Sequence, residues 1–281
     1  MALELIINPF VVKKKPWQMF VAGFIYALIA LLLSYLVFQE IAGILMVFLI
    51  VIATLPMIYT AIKEEEALEL QIKRESKLLK EHAKVLVYLM FLFFGITTAL
   101  VLAYILLPQS MTDIIFSLQQ SAIGIVNSAV QGNVTQFGFF SNIFFNNLKV
   151  LFFCLVFSFV YGTGAIFILT WNASVIAVAM GGFIRSQISN AGTVIGNPSL
   201  ATYFSAATFG LFRYMTHGFF EILAYFVAGL AGGIISIALI KHNLKERRIL
   251  VDSLNLIFIS LGLLLFAAII EVFITPLLFP I

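Results

Sequence analysis

The chain has 281 residues, of which 62% are hydrophobic and 10% are charged, and its formal net charge at pH 7 is +3. Soluble domains carry about 25% charged residues, so this composition excludes an ordinary soluble enzyme, and nothing in it indicates a nucleic-acid partner. Apolar runs of about 20 residues recur without the alternation of barrel strands, which is typical of helices that cross a bilayer. The expected fold class is therefore an all-α, polytopic transmembrane helical bundle whose first partner is the lipid bilayer.

The apolar runs predict seven spans in chain order. The first run follows Lys13, Lys14 and Lys15 and is too long for the apolar part of a signal peptide, so we interpret it as a span. The predicted spans lie at about residues 17–38, 41–62, 85–107, 139–161, 165–184, 214–240 and 251–275.

The connection between the fourth and fifth spans has two interpretations. Gly162 and Gly164 separate the two runs without any charged residue, and glycines permit a tight turn. Re-entrant segments would give the same pattern, because backbone at membrane depth is tolerated when protein surrounds it. Two full spans and a re-entrant pair both stay open at this point.

Two longer connections contain apolar residues of their own. Residues 108–137 lack Lys and Arg and have apolar residues at helical spacing, which predicts one helix that lies in the membrane interface or covers the bundle. In the connection 185–213 after the fifth span, a turn is marked by Gly192, Gly196, Asn197 and Pro198. The apolar residues 199–212 that follow predict a half-helix dipping into the bilayer.

Positive charges predict the orientation. Thirteen of the sixteen Lys and Arg residues lie in residues 1–16, 63–84 and 241–249, which seven spans place on one side. Because cytoplasmic loops are enriched in Lys and Arg, the amino terminus is expected inside and the carboxyl terminus outside. The stretch 63–84 contains no Gly or Pro and is expected to extend spans two and three as helix, either as a solvated connector or as a docking surface.

Several ionisable residues lie inside the predicted spans. A charge in the hydrocarbon core costs at least about 2.5 kcal/mol, so such residues are usually paired or functional. Lys149, His217, Glu221 and Glu271 fall in the same leaflet and can meet in one cluster. Asn172 either caps the fifth span or forms a hydrogen bond with a neighbouring helix. The predicted polar cluster comprises Lys149, His217, Glu221, Glu271, Asn146, Asn147 and Asn172.

Three interpretations of this cluster compete. It is a structural network, a transport or proton-relay site, or a metal site in which His217, Glu221 and Glu271 are the candidate ligands. Lys149 would repel a metal cation, and the sequence contains neither the zinc-protease motif nor a nucleophile motif, so we expect no enzyme activity and no cofactor. A cavity lined by Glu221 and open to one side would favour transport, whereas tight packing would favour a scaffold.

Stripes of small residues predict close helix packing. Small residues at four-residue spacing let membrane helices approach closely, and stripes on spans five and six predict that these two helices pack together. Stripes that faced outward would instead suggest a homodimer. The glycines assigned to helix packing are Gly162, Gly164, Gly181, Gly229 and Gly233.

The order of the short motifs resembles a known family. An Asn146-Asn147 pair, Gly162-x-Gly164, Asn172, Gly181-Gly182, His217-Gly218-x-x-Glu221 and a closing Ile270-Glu271-x-Phe273-Ile274-Thr275-Pro276 follow one another. This order resembles the stage II sporulation protein M family over about residues 85–281, with residues 1–84 forming a separate pair of spans and a charged extension. Thr216 stands where the family usually has Pro.

The resemblance implies a multi-pass protein of a bacterial or archaeal cell membrane. The member that gives the family its name looks like a scaffold that recruits cell-wall-degrading partners. The leading expectation is therefore a non-enzymatic scaffold or assembly protein with a membrane or cell-envelope protein as its partner. A secondary transporter or channel that uses Glu221, His217 and Glu271 as an ion or proton site is the alternative.

Overall fold

Every regular element in the described part of the chain is a helix. A computed structural model describes residues 16–71, 75–131, 135–161, 163–195, 199–240 and 247–279. A 3₁₀ turn at Gln39–Ile41 precedes α2, and a π-helical turn at Ile270–Ile274 joins α9 to α10. The helices are α1 (Trp17–Val37), α2 (Ala42–Gln71), α3 (Glu75–Leu106), α4 (Gln109–Ile115), α5 (Ser117–Gln131), α6 (Gln136–Tyr161), α7 (Ala165–Ile195), α8 (Leu200–Ile240), α9 (Arg247–Ile269) and α10 (Thr275–Leu278).

The described residues contain seven helical stretches long and apolar enough to cross a membrane. Their number and order match the seven predicted spans, so the all-α polytopic bundle is confirmed. The stretches are Trp17–Val37, Gln39–Ala61, Lys80–Leu106, Gln136–Val160, Ala165–Ala191, Leu200–Ile240 and Arg247–Leu278.

The fourth and fifth spans are two full-length helices. Helix α6 has 26 residues and α7 has 31, which corresponds to roughly 39 and 46 Å at 1.5 Å per residue. Each exceeds the hydrocarbon thickness of about 30 Å, so neither has the length of a re-entrant half-helix. The charged stretch after the second span is also helical, since α2 continues to Gln71 and α3 begins at Glu75.

Two predictions about the connections need correction. Residues 199–212 do not form a separate half-helix, because α8 runs without interruption from Leu200 to Ile240 and contains no proline. Residues 108–131 form two helices rather than one, with a break at Phe116, which lies between α4 and α5 and is fully buried. These two short helices pack against α1, α2, α6 and α7 and so cover one end of the bundle.

Helix α8 lies at the centre of the bundle. In its most apolar stretch 83% of the residues are buried, compared with 22% for α6. It packs most extensively against α6 and α9, and then against α7. Its alanines and glycines explain this position, because small side chains let three neighbouring helices approach one helix at the same level.

The packing glycines identify which helices touch. A Cβ at Gly229 would lie 2.8 Å from the Cβ of Ala165 at the start of α7, and one at Gly232 would lie 2.6 Å from the Leu155 carbonyl oxygen of α6. A Cβ at Gly181 would lie 2.8 Å from the ring of Tyr104, so the small stripe of α7 faces α3. The predicted contact between spans five and six is therefore present, through Gly229 and Ala165, whereas Gly181 of the α7 stripe contacts α3 instead.

The other glycines assigned to helix packing are Gly162, Gly164 and Gly233. A Cβ at Gly164 would collide with the Phe157 carbonyl group of α6, which explains the tight turn between α6 and α7. Gly233 is buried within α8. Gly162 lies outside the described residues.

A buried polar contact joins α3 to α9 at the end of the bundle opposite α4 and α5. The Nε2 atom of His82 lies 2.8 Å from Oδ2 of Asp252, and the side chains are 1% and 15% exposed. This pair is therefore a direct polar link between α3 and α9. We call this pair the His82–Asp252 latch.

Candidate functional site

A polar cavity lies between α5, α6, α7 and α8 and the π-helical turn after α9. Its volume is about 360 Å³. Apolar side chains of α6 and α7 form much of its wall, and its polar groups, apart from the indole of Trp171, are carboxyl or carboxamide groups. These polar residues are Asn142, Asn146, Asn147, Asn172, Glu221 and Glu271.

Glu221 is held in place by its own helix and by α6. Tyr225 lies one turn further along α8, and its hydroxyl group donates a hydrogen bond of 2.8 Å to Oε1 of Glu221. Residues four apart share one helix face, so the pair forms without any distortion of α8. The Asn147 side chain, which is 8% exposed, also hydrogen-bonds Glu221. The carboxyl group is therefore oriented from two helices.

Glu271 reaches the cavity from the π-helical turn. Oγ1 of Thr275 donates to the Ile270 carbonyl oxygen over 3.1 Å, five residues back, which satisfies a backbone acceptor in the widened turn. The same Oγ1 lies 3.3 Å from Nδ1 of His217, and Nε2 of His217 lies 3.9 Å from Oε1 of Glu271. Isolated π turns occur frequently at functional sites.

Glu271 also lies between two cavities. A second cavity of about 530 Å³ is lined by Glu271 together with His217, Arg213 and Tyr214. Glu271 is within electrostatic range of Glu221, so the two carboxyl groups influence one another. The histidine and the arginine belong to the second cavity, whereas the first contains both carboxyl groups.

The structure brings together six of the seven residues predicted for the cluster and leaves out Lys149. Asn146, Asn147, Asn172, Glu221 and Glu271 line the first cavity, and His217 contacts Glu271. Lys149 is exposed and lies three residues after the exposed Asn146, so it shares the side of α6 on which Asn146 meets the edge of the cavity. It forms no ion pair with any acidic side chain that the structure describes. Lys149 therefore neutralises neither glutamate.

Asn172 does not cap a helix, because α7 begins seven residues earlier at Ala165. Its Nδ2 atom is buried and has no hydrogen-bond partner among the described residues. The asparagine instead presents an amide at the cavity wall. Asn146 is exposed, and its Nδ2 atom donates a long hydrogen bond of 3.4 Å to Oδ1 of Asn147.

The geometry does not support a metal site. Within the described ranges no group of three or more His, Cys, Asp or Glu side chains is arranged to hold a metal ion. His217 is directed at Thr275 and Glu271, whereas Glu221 is directed at Tyr225 and Asn147. The i,i+4 spacing of His217 and Glu221 therefore does not make them ligands of one ion.

Sequence reasoning missed three contributors to the site. Tyr225 and Thr275 each lie four residues after a predicted glutamate, so the same spacing rule that linked His217 to Glu221 could have found them. Arg213 lines the second cavity, and its guanidinium group lies 5.4 Å from the centre of the Phe183 ring. No motif marks this arginine, because its position depends on the unbroken course of α8.

Seven membrane-length helices, one of which is rich in small residues and lies at the centre, define a multi-pass helical membrane protein. Residues 85–276 match the family described as Stage II sporulation protein M, and since this range covers more than half of the chain, the protein belongs to that family. The match includes both glutamates of the cavity and excludes α1 and α2. Neither the curated proteins nor the solved structures compared with the chain provided a match.

Removing the Tyr225 hydroxyl group should destabilise the bundle. Tyr225→Phe removes one of the two donors to the buried Glu221 and leaves only Asn147, so we expect a loss of about 1–3 kcal/mol in the free energy of unfolding. Thermal or denaturant unfolding in detergent measures this change in the free energy of unfolding. Tyr203→Phe is the matched control, because Tyr203 lies on the same helix and is 47% exposed. Equal stability of both variants would show that the hydrogen bond does not hold Glu221.

Proposed function

We propose that the protein is a non-enzymatic membrane scaffold that holds a membrane or cell-envelope protein in position in a prokaryotic cell membrane. Membership of the Stage II sporulation protein M family supports the assignment. The structural observation that carries it is the close packing beneath the cavity. Transport requires a helical bundle to open on alternate sides, whereas a scaffold requires a rigid body with a defined surface.

The packing beneath the cavity is close at the level of the backbone. Ala224, Tyr225 and Ala228 of α8 are fully buried, as is Cys154 of the facing helix α6. Further along α8, Gly232 meets a backbone carbonyl group of α6 without room for a methyl group. Interfaces of this type are stabilised by van der Waals contact over the whole length of the helices, and helix separation would lose that contact.

The charge distribution supports an orientation for this scaffold. Three Lys- and Arg-rich stretches lie at the end of the spans opposite the cavity, so the cavity is assigned to the outer leaflet. The amino terminus is then cytoplasmic and the carboxyl terminus outside. A partner in the cell envelope would meet the end of the bundle that α4 and α5 cover.

Cysteine labelling tests this orientation. The only native cysteine, Cys154, is fully buried, so an added thiol dominates the reaction with a maleimide. Asp113→Cys lies on the covered end and should react with a membrane-impermeant maleimide in intact cells. Lys80→Cys lies at the opposite end and should react only after permeabilisation. The reverse pattern would invert the assigned topology.

In-cell photo-crosslinking tests the scaffold function. A photoreactive amino acid replaces one outward-facing residue on each of three helices: Leu36 of α1, Phe152 of α6 or Phe258 of α9, which are 74%, 57% and 69% exposed. A scaffold should give discrete protein adducts from one surface and weaker adducts from the others. Adducts with lipid alone at all three positions would contradict the proposal.

Cation-coupled transport is the second candidate, and the cavity lined by Glu221 and Glu271 is the observation in its favour. Proteoliposomes with an imposed proton or sodium gradient distinguish the two functions. The scaffold proposal predicts the same flux for wild-type protein, Glu221→Gln and protein-free liposomes. Flux above the protein-free background that Glu221→Gln abolishes, with the fold intact by circular dichroism, would establish transport instead.

A further inference from the structure

The lysine excluded from the cavity lies at the centre of the most exposed helix. Lys149 is thirteen residues after Gln136 and twelve before Tyr161, the two ends of α6, which places it roughly 18–20 Å from each end. Only 22% of the most apolar stretch of α6 is buried, the smallest share among the seven membrane-length stretches of the described residues. A charge therefore occupies the middle of a surface that otherwise suits acyl chains.

The surroundings of Lys149 form a stripe along one side of α6. Phe145, Phe152 and Phe153 are about half exposed and flank the lysine, while the buried residues of α6 face the bundle. Across the described ranges, no residue hydrogen-bonds or forms an ion pair with Lys149. We call Phe145, Lys149, Phe152 and Phe153 the α6 stripe.

An outward lysine at this depth needs compensation from outside the chain. Charged residues within membrane helices almost always face the interior of the bundle or a partner, and a lysine at the centre of a span costs about 2.5–3.5 kcal/mol on insertion. The interior of this bundle offers two glutamates, yet Lys149 forms an ion pair with neither. The group that compensates the charge of Lys149 is therefore expected at the lipid-facing surface.

We propose that the α6 stripe docks a transmembrane helix of a different protein, and that this helix carries an Asp or Glu at the depth of Lys149. The phenylalanines would pack against the apolar face of that helix, and the lysine would bind its carboxyl group. This inference rests on the proposed scaffold function and specifies the chemistry of the partner.

Charge complementarity selects this occupant. A second copy of the chain bound through the same stripe around a two-fold axis would bring Lys149 towards Lys149. The acidic side chains that the structure describes would not supply this charge from a second copy. Glu221 and Glu271 line the cavity, Glu40 and Asp113 lie near helix ends, and Glu81 and Asp252 are paired with Lys84 and His82. A lipid phosphate group lies about half the hydrocarbon thickness, or roughly 15 Å, from the centre of a span.

Förster resonance energy transfer between labelled protein and a labelled helix in lipid vesicles tests the proposal. Labelled protein is reconstituted into phosphatidylcholine vesicles with a labelled synthetic Leu/Ala single-span helix that has one central Glu. Wild-type protein should bind this helix about tenfold more strongly than the same helix with a central Leu, the scale of a polar contact between membrane helices. Lys149→Leu should remove the preference, and Lys149→Arg should retain it.

A charge exchange provides the decisive control. Lys149→Glu should prefer a helix with a central Lys, which a folding defect would not produce. Equal binding of the Glu and Leu helices by wild-type protein would overturn the proposal. So would loss of the preference in phosphatidylglycerol vesicles, which would assign Lys149 to lipid headgroups, or self-association of labelled copies that Lys149→Leu abolishes. Each of these failures leaves the scaffold function standing, since adducts from α1 or α9 would still support it.

Discussion

The arrangement of the whole bundle depends on the close contact that small residues permit along α8. With alanine and glycine at its inward positions, a 41-residue helix is surrounded by α6, α7 and α9 at van der Waals distance. Apolar side chains alone do not drive such association in lipid, where the solvent is as apolar as the protein. Contact between backbones is the remaining source of stability, and it requires residues without bulk.

That contact also explains how two carboxyl groups are accommodated inside the bundle. Glu221 lies on the central helix and receives hydrogen bonds from Tyr225 of the same helix and Asn147 of α6. Glu271 enters from a π-helical turn in which Thr275 donates a hydrogen bond to a backbone carbonyl group. Buried polar groups are tolerated when hydrogen bonds replace those lost to water. Here the replacement comes from the tyrosine, threonine, histidine and asparagine side chains rather than from the lysine that the sequence offered.

The sequence was sufficient for the spans and for most of the cavity residues. Apolar length determines which segments cross a bilayer, and His217, Glu221 and Glu271 were expected in the cluster because they are ionisable residues inside those segments. The rotation of α6 could not be predicted, because apolar residues surround its whole circumference and leave no amphipathic face to orient Lys149. The continuous course of α8 was also missed, since Asn197 and Pro198 before it suggested a longer interruption.

The His82–Asp252 latch affects how the bundle can move. It joins α3 to one end of α9, and Glu271 lies nineteen residues further along, roughly 28 Å away at the other end. A contact at one end of two helices restrains their separation most strongly at that end and least at the other. The latch therefore restrains α3 and α9 at the end of the bundle far from the cavity, and the spacing of the helices around Glu271 depends on the packing of α8 instead.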